Sequence, residues 1–179
     1  MKRTLIILLS VMIVVPPLAN GGRTKTVRKT KRARLANASP SADALIHRFV
    51  DALDKKDAAA LRHMRANESE YRNIILPGSV APGTPPKHYR EDVVQYFWGV
   101  MNGKSAGYEK YLLDTAGGRG PTQVKNVSYH KGQRQYADYT AYKQLRLVVE
   151  DGAGREHEIW TGSIAEVDGQ YKFISFIRD

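Results

Sequence analysis

The chain has 179 residues, a length typical of one domain with appendages. It contains no cysteine, which excludes disulfides, thiolate metal ligands and a cysteine nucleophile. Its 28 basic and 18 acidic residues give a formal net charge of +10, but nine of the basic and none of the acidic residues fall within the first 42 positions. The remaining 137 residues are therefore nearly neutral, and no basic groove for nucleic acid is expected on the folded part.

The N-terminus has the pattern of a targeting segment. Lys2 and Arg3 precede an apolar stretch at residues 5–15, which ends at Pro16, and the small residue Ala19 follows. This order is typical of a secretory signal peptide, so residues 1–21 are predicted to direct export to the periplasm or the exterior. The alternative is an uncleaved short membrane anchor.

Residues 22–40 are predicted to form a disordered polybasic linker, because they contain few large apolar side chains. The basic residues at positions 23–34 suit contact with an anionic surface, such as lipid or a cell-wall polymer. The alternative is a solvated spacer. No specific nucleic acid is expected, because the stretch contains no aromatic side chain to stack on bases.

The globular part, residues 41–179, begins with helical patterns. Residues 41–54 carry one apolar face, formed by Leu45, Ile46, Phe49, Val50 and Leu53. Asp57 is placed to cap a second helix that runs towards Met64. Further helices are predicted at 69–76, 88–101 and 108–115, with a proline-rich connection at 80–87.

The last third of the chain is predicted to form an antiparallel meander. Its strands are expected at 122–130, 134–150, 155–167 and 171–178, where β-branched and aromatic residues are frequent. Glycine-containing turns at 131–133, 151–154 and 168–169 separate them. The pattern predicts an α+β fold with helices first and the sheet last.

This order of elements resembles a known family. The start of the second helix, Asp57-Ala58-Ala59-Ala60-Leu61, and the last hairpin, Gly169-Gln170-Tyr171-Lys172-Phe173-Ile174, are similar to the nuclear transport factor 2-like (NTF2-like), or SnoaL-like, superfamily. Tyr171 stands where that family usually has tryptophan. The resemblance implies a cone in which N-terminal helices pack on a strongly curved antiparallel sheet of about four strands, with a deep pocket at the open end. Its members include isomerases, cyclases, epoxide hydrolases, binding domains and dimerisation modules.

Five residues are candidates for contacting a ligand in such a pocket. Tyr71 and Arg72 lie in a mixed polar and apolar stretch before Pro77, where a guanidinium suits an anionic or carbonyl-bearing ligand. The aromatic candidates are Trp98, Tyr139 and Trp160. The alternative is that these side chains pack in the core while Arg72 makes an ion pair.

Asp138 is the candidate catalytic base, because a carboxylate in the middle of a predicted strand is unusual. The alternative is a structural ion pair with an arginine on a neighbouring strand. The histidines are scattered, and none has the spacing of a metal-ligand pair. No metal and no cofactor are predicted.

These observations leave three functions open. The first is an exported domain that binds a small apolar or amphipathic molecule in the cone. The second is an isomerase, cyclase or hydratase acting in the same cavity. The third is a non-catalytic interaction module, expected to be a homodimer, that the basic arm tethers to an anionic surface.

Overall fold

The computed structural model describes residues 34–178. The helices are α1 (Ala42–Asp54), α2 (Ala58–His63), α3 (Glu68–Glu70), α4 (Leu76–Gly78) and α5 (Glu91–Thr115), and a π-helical turn at Tyr71–Ile75 joins α3 to α4. The strands are β1 (Gln123–Tyr129), β2 (Gln133–Gln135), β3 (Thr140–Tyr142), β4 (Leu145–Glu150), β5 (Glu156–Trp160), β6 (Ile164–Val167) and β7 (Gln170–Phe173). The predicted α+β class, with helices before strands, is confirmed.

The first two helices each begin at a capping side chain, and the second cap is the predicted Asp57. The Ser41 side chain accepts a hydrogen bond from the backbone N–H of Ala44 at 3.0 Å, and Asp57 caps Ala60 in the same way at 2.9 Å. These caps satisfy backbone donors that have no partner within the helix. The predicted apolar face of α1 is buried along its whole length.

Helix α5 corrects the sequence interpretation. Two helices, at 88–101 and 108–115, were expected because Asn102 and Gly103 resemble a helix end, but the structure has one helix of 25 residues. A glycine inside a helix costs only about 1 kcal/mol relative to alanine. Burial of Ser105, Glu109 and Leu112 on the far side of Gly103 favours continuing the helix.

The strands form two antiparallel sheets, one in the order β1-β4-β5 and the other in the order β2-β3-β6-β7. Two of the four predicted strands, 134–150 and 155–167, are interrupted, so that each contributes to both sheets. One interruption lies at Gln144, which has a φ of 54°. Backbone hydrogen bonds continue across it, from His130 N–H to the Gln144 carbonyl (2.9 Å) and from Lys143 N–H to the Gly132 carbonyl (2.8 Å).

The first predicted turn is wrong in position. Gly132 marks an irregular step between β1 and β2, and the hairpin loop lies at residues 136–139, closed by a 2.8 Å bond from Tyr136 N–H to the Tyr139 carbonyl. Asp138 is therefore in a hairpin loop and not in the middle of a strand. Its residue type is ordinary there, because aspartate favours turns, so the reason for singling it out from the sequence disappears.

Two buried clusters hold the elements together. The larger joins α1, α2 and the end of α5 to both sheets, and its centre is a group of rings in which the centroid of Phe49 lies 5.1 Å from that of Phe173 and 5.8 Å from that of Phe176. The smaller cluster lies on the sheet β2-β3-β6-β7. It contains Leu35, Ile74, Ile75, Tyr139, Ala141, Ala165 and Val167.

The described part of the segment predicted to be a linker packs against the domain. Leu35 is 6% exposed and Ser39 is 1% exposed. Ser39 also exchanges two backbone hydrogen bonds with Tyr171, at 2.9 and 2.8 Å. The packed region thus begins before residue 41. The predicted signal segment, residues 1–21, and the rest of the predicted linker, residues 22–33, lie outside the described residues.

Candidate functional site

A cavity of about 230 Å³ lies between α1, the C-terminal half of α5 and the sheet β1-β4-β5. Its apolar part consists of side chains from four elements, Val50, Leu53, Leu112, Val149 and Ile159. Each of these is also part of the larger buried cluster. The cavity is therefore continuous with the core of the domain.

Aromatic side chains form a second part of the cavity wall. The Tyr108 hydroxyl donates to the Trp160 carbonyl at 3.3 Å, and burial raises the pKa of Tyr108 above its usual value. The ring of Tyr111 lies 5.2 Å from that of Tyr108. Because Tyr111 is 54% exposed, the aromatic wall extends from the interior to the surface.

The polar part is organised by Asp151, whose side chain is 2% exposed. Its carboxylate accepts hydrogen bonds from the backbone N–H of Arg155 (3.0 Å) and Ala153 (2.9 Å) and from His157 Nε2 (2.8 Å). The bond from the Arg155 backbone, followed by that from His157, holds the pKa of Asp151 well below its usual range. Asp151 is thus a fixed anion at the tight turn between β4 and β5.

The other nitrogen of His157 defines the tautomer. Nδ1 lies 3.0 Å from Arg119 Nη1. A guanidinium can only donate, so Nδ1 accepts from Arg119 and Nε2 carries the hydrogen that is donated to Asp151. The result is a chain of hydrogen bonds in which Asp151 orients His157 and His157 orients Arg119.

The remaining carboxylates at the cavity are engaged by the chain itself. Asp54 accepts from the backbone N–H of Thr122 at 2.8 Å and from its hydroxyl at 2.5 Å. Glu158 pairs with Arg146 and accepts the indole N–H of Trp160 at 3.1 Å. The hydrogen bond from Arg146 is the main cause that lowers the pKa of Glu158.

Two cations at the cavity differ from these acids. The guanidinium carbon of Arg178 lies 4.5 Å from the centroid of the Trp160 ring, a cation–π geometry. Within residues 34–178, no carboxylate forms an ion pair with Arg178 or with Arg119. Both guanidiniums therefore keep hydrogen-bonding capacity beside the cavity.

Of the ligand-contact candidates named from the sequence, Trp160 lines this cavity and the other four do not. The ring of Tyr71 packs 5.7 Å from that of Trp98. Arg72 makes ion pairs with Glu68, at 2.9 Å, and with Glu91. These contacts match the structural alternative for Arg72.

The remaining two candidates also lie away from the cavity. Tyr139 is buried against the smaller cluster with its hydroxyl 2.8 Å from Ser79 Oγ, and burial raises its pKa to about 12. Asp138 is exposed in its hairpin loop and packs against Gly78, where an added Cβ would come within 2.8 Å of the Asp138 Cβ. An exposed carboxylate lacks the apolar surroundings that the proposed base required.

The sequence analysis missed Asp151, His157, Arg119 and Arg178. One signal was available, because Asp151 begins a predicted glycine-rich turn and His157 follows it by six positions, near the start of the next strand, so the two side chains lie at the same end of the hairpin. Arg119 follows the end of α5 and Arg178 follows β7. Their meeting at one cavity depends on tertiary structure that local patterns do not contain.

Among residues 34–178, no cluster of three or more histidine and acidic side chains is arranged to hold a metal ion. No helix in this same range is long and apolar enough to cross a membrane. Comparison of the chain with protein-family models, curated proteins and solved structures found no match. The functional argument therefore rests on the cavity and its side chains.

Proposed function

We propose that this chain is an exported protein whose NTF2-like domain binds a small apolar or amphipathic molecule. The cavity between α1, α5 and the sheet β1-β4-β5 is the observation that carries the proposal. Ligand sites combine apolar surface with placed polar groups, and this cavity joins an apolar interior to a wall that carries several polar and charged side chains. Its volume of about 230 Å³ is below the roughly 300–1,000 Å³ of sites for drug-sized molecules, which favours a small ligand.

The NTF2-like assignment is supported by the order of the elements. Helices precede a set of antiparallel strands, and the chain ends in the hairpin of β6 and β7 that carries the family-like motif. A cavity between the helices and one sheet is also what such a fold would provide. Export is supported by the pattern at residues 1–21.

Native mass spectrometry of the full chain purified from cells tests this function. We expect a non-covalent adduct that denaturing extraction releases. The variant Thr115→Trp places a large side chain at the cavity wall and should remove the adduct. Ala106→Trp, on an exposed part of the same helix away from the cavity, is the matched control and should retain it. An adduct that survives Thr115→Trp would place the ligand elsewhere.

A second candidate function is acid–base catalysis of the isomerase, cyclase or hydratase kind. The hydrogen-bonded pair of Asp151 and His157 at the cavity favours it, because a carboxylate that fixes an imidazole tautomer is a common arrangement for a general base. Arg119 must release Nδ1, the nitrogen that would take the proton, before His157 can act. Incubating the extracted ligand with fresh protein in D₂O tests the idea. A base would exchange a carbon-bound hydrogen for deuterium, and His157→Gln should abolish the exchange. Absence of exchange and of any other change in the ligand would leave a binding protein.

The predicted homodimer is a third proposal, and the surface that supports it is on α5. Tyr96, Phe97 and Val100 are 67%, 42% and 40% exposed on this helix. Large exposed apolar side chains that lie close together are typical of interaction surfaces. Sedimentation of the full chain and of Phe97→Glu would show whether a dimer forms and whether this surface of α5 holds it together. A dimer that persists in Phe97→Glu would exclude this surface as the interface.

A further inference from the structure

We infer that the cavity selects amphipathic carboxylates, with the ligand's carboxylate bound by the guanidiniums of Arg119 and Arg178 and its apolar portion in the cavity. This inference rests on the proposed binding function and names the ligand class for that site. It starts from a difference in how the charged groups at the cavity are satisfied.

The acids at the cavity already have their hydrogen-bond partners. Asp54 is engaged by Thr122, Glu158 by Arg146, and Asp151 by the turn backbone, Arg155 and His157. A cationic ligand would have to displace these contacts. The acids therefore offer little to a positively charged molecule.

The cations have the opposite status. Arg119 makes one side-chain hydrogen bond, to a neutral acceptor, and Arg178 makes a ring contact. Neither guanidinium forms an ion pair with a carboxylate within residues 34–178, although Arg178 lies near enough to Glu158 to help lower the pKa of that carboxyl. A guanidinium has five N–H donors, so each of these arginines retains donors for a planar anion.

Both guanidiniums are held in place by contacts that leave most of their N–H donors free. The buried Asp151 fixes His157, and His157 accepts one N–H of Arg119, which restricts the orientation of that side chain. The Trp160 ring does the same for Arg178 through its face. Such support lowers the entropy that each arginine loses when it binds an anion. Asp151 and His157 are positioning residues in this scheme.

The other side chains of the cavity determine what the rest of the ligand must be. Leu53, Leu112 and Ile159 give it an apolar interior, and Tyr108 and Tyr111 give it an aromatic wall. A ligand that fits must therefore place an apolar or aromatic portion there. The arginines lie at the same cavity, so the carboxylate and the apolar portion belong to one small molecule.

The test measures affinity for matched acid and amide pairs. The probes are phenylacetate with phenylacetamide, indole-3-acetate with indole-3-acetamide, and octanoate with octanamide, each titrated into the full chain by ligand-detected NMR. A charge-assisted hydrogen bond is about twice as strong as a neutral one, so the acid of at least one pair should bind about tenfold more tightly than its amide. Arg119→Gln and Arg178→Gln should each weaken acid binding about tenfold and leave amide binding unchanged.

Arg134→Gln is the matched control. Arg134 is an exposed arginine that lies 4.9 Å from the ring centroid of Tyr136, as Arg178 lies over Trp160, but it is on β2 and away from the cavity. Its removal should change neither affinity. A loss of acid binding in this control would mean that overall charge, and not the cavity, attracts the anion.

The positioning role is tested through the ratio of acid to amide affinity, which a purely structural role would not change. His157→Leu removes the acceptor for Arg119 and should lower the ratio, whereas His157→Gln retains an acceptor and should preserve it. Equal binding of acids and amides, or an unchanged ratio in both Arg119→Gln and Arg178→Gln, would overturn the inference and leave the proposed function standing. Failure of every probe to bind the native chain would overturn the inference, and the absence of any co-purified molecule as well would overturn the proposed function.

Discussion

The charged side chains beside the two sheets of this protein differ in whether they form ion pairs within the chain. Beside the sheet β2-β3-β6-β7, the buried Lys172 pairs with the buried Glu70 at 2.7 Å. Beside the sheet β1-β4-β5, Arg119 and Arg178 lie at a cavity and form no ion pair with a carboxylate within residues 34–178. In the first region the charged groups pair with each other. In the second region two guanidiniums remain available to a ligand.

The paired region joins distant parts of the chain. Glu70 accepts hydrogen bonds from Lys172, from the backbone N–H of Ala36 (2.6 Å) and from that of Asn67 (2.8 Å). Lys172 also donates to the Ala36 carbonyl at 2.6 Å. One ion pair therefore connects the N-terminal segment, α3 and β7.

The comparison indicates what separates structural from functional polar groups in this fold. A buried charge must find partners within the chain, because leaving it unpaired costs several kcal/mol. A partly exposed arginine beside a cavity can remain without a carboxylate, since water satisfies its donors until a ligand replaces it. Tyr71, Arg72 and Tyr139, three of the candidates chosen from the sequence, also make their contacts within the chain, although the ion pairs of Arg72 are exposed.

The largest expected effect is on the buried ion pair. Lys172→Met leaves the Glu70 carboxylate buried without its countercharge, so we expect the free energy of unfolding to fall by about 3–5 kcal/mol. Chemical denaturation of the full chain measures this change. The affinity of the folded protein for a carboxylate probe, after correction for the fraction of chains that are folded, should not change.

A double variant provides the control. Glu70→Gln combined with Lys172→Met removes both charges and keeps a side-chain oxygen for the Ala36 N–H, so it should recover much of the lost stability. A single variant that costs less than about 1 kcal/mol would mean that the pair is no stronger than a surface ion pair. The contrast between the two regions would then lose its energetic basis.

The next effect concerns the N-terminal segment that the sequence pattern assigned to a linker. Leu35 is 6% exposed and belongs to the smaller cluster, so Leu35→Ala should lower the free energy of unfolding by about 2–3 kcal/mol. Arg34→Ala, at the adjacent exposed position, is the control and should have little effect. Thermal or chemical unfolding distinguishes the two. Equal stability of Leu35→Ala and the native chain would mean that residues 34–39 are only a tether.

How much of the fold the sequence predicted depends on the range of the signal. The cap at Asp57 and the apolar face of α1 are local, and both are confirmed. The hairpin at 131–133 and the helix end at Asn102 were also local signals, but tertiary pairing of β2 with β3 and burial along α5 overrode them. Local chemistry therefore predicted where elements occur better than where they end.

The candidate site was less predictable for the same reason. Trp160 was correctly placed at the cavity, because a large aromatic residue in a predicted strand is a local signal. Arg119 and Arg178 are separated by the whole sheet region in sequence. Tertiary packing decides which arginines form an ion pair within the chain. Arg72 was chosen from the sequence, but its guanidinium is already paired with Glu68 and Glu91.

A smaller effect is expected on the pH dependence of stability in the cavity region. The pKa of Asp151 is lowered in the folded state, so the unfolded chain binds a proton more readily, and the stabilisation present above about pH 4 is lost as the pH falls through the folded-state pKa. Asp151→Asn should therefore make the acid side of the stability profile shallower. Denaturant titrations from neutral to acidic pH measure it. Parallel acid profiles for both proteins would show that Asp151 is not held as an anion.

The smallest expected effect is at Arg72, and it sharpens the comparison most directly. Arg72→Gln removes exposed ion pairs with Glu68 and Glu91, and such pairs contribute little because water and salt screen them. Stability should change only slightly, and the affinity for octanoate or phenylacetate should be that of the native chain. Arg119→Gln, measured beside it, should lose acid binding without losing stability. If Arg72→Gln weakened acid binding as strongly as Arg119→Gln, the ligand would lie near the π-helical turn, and the available charges would be on the other side of the molecule.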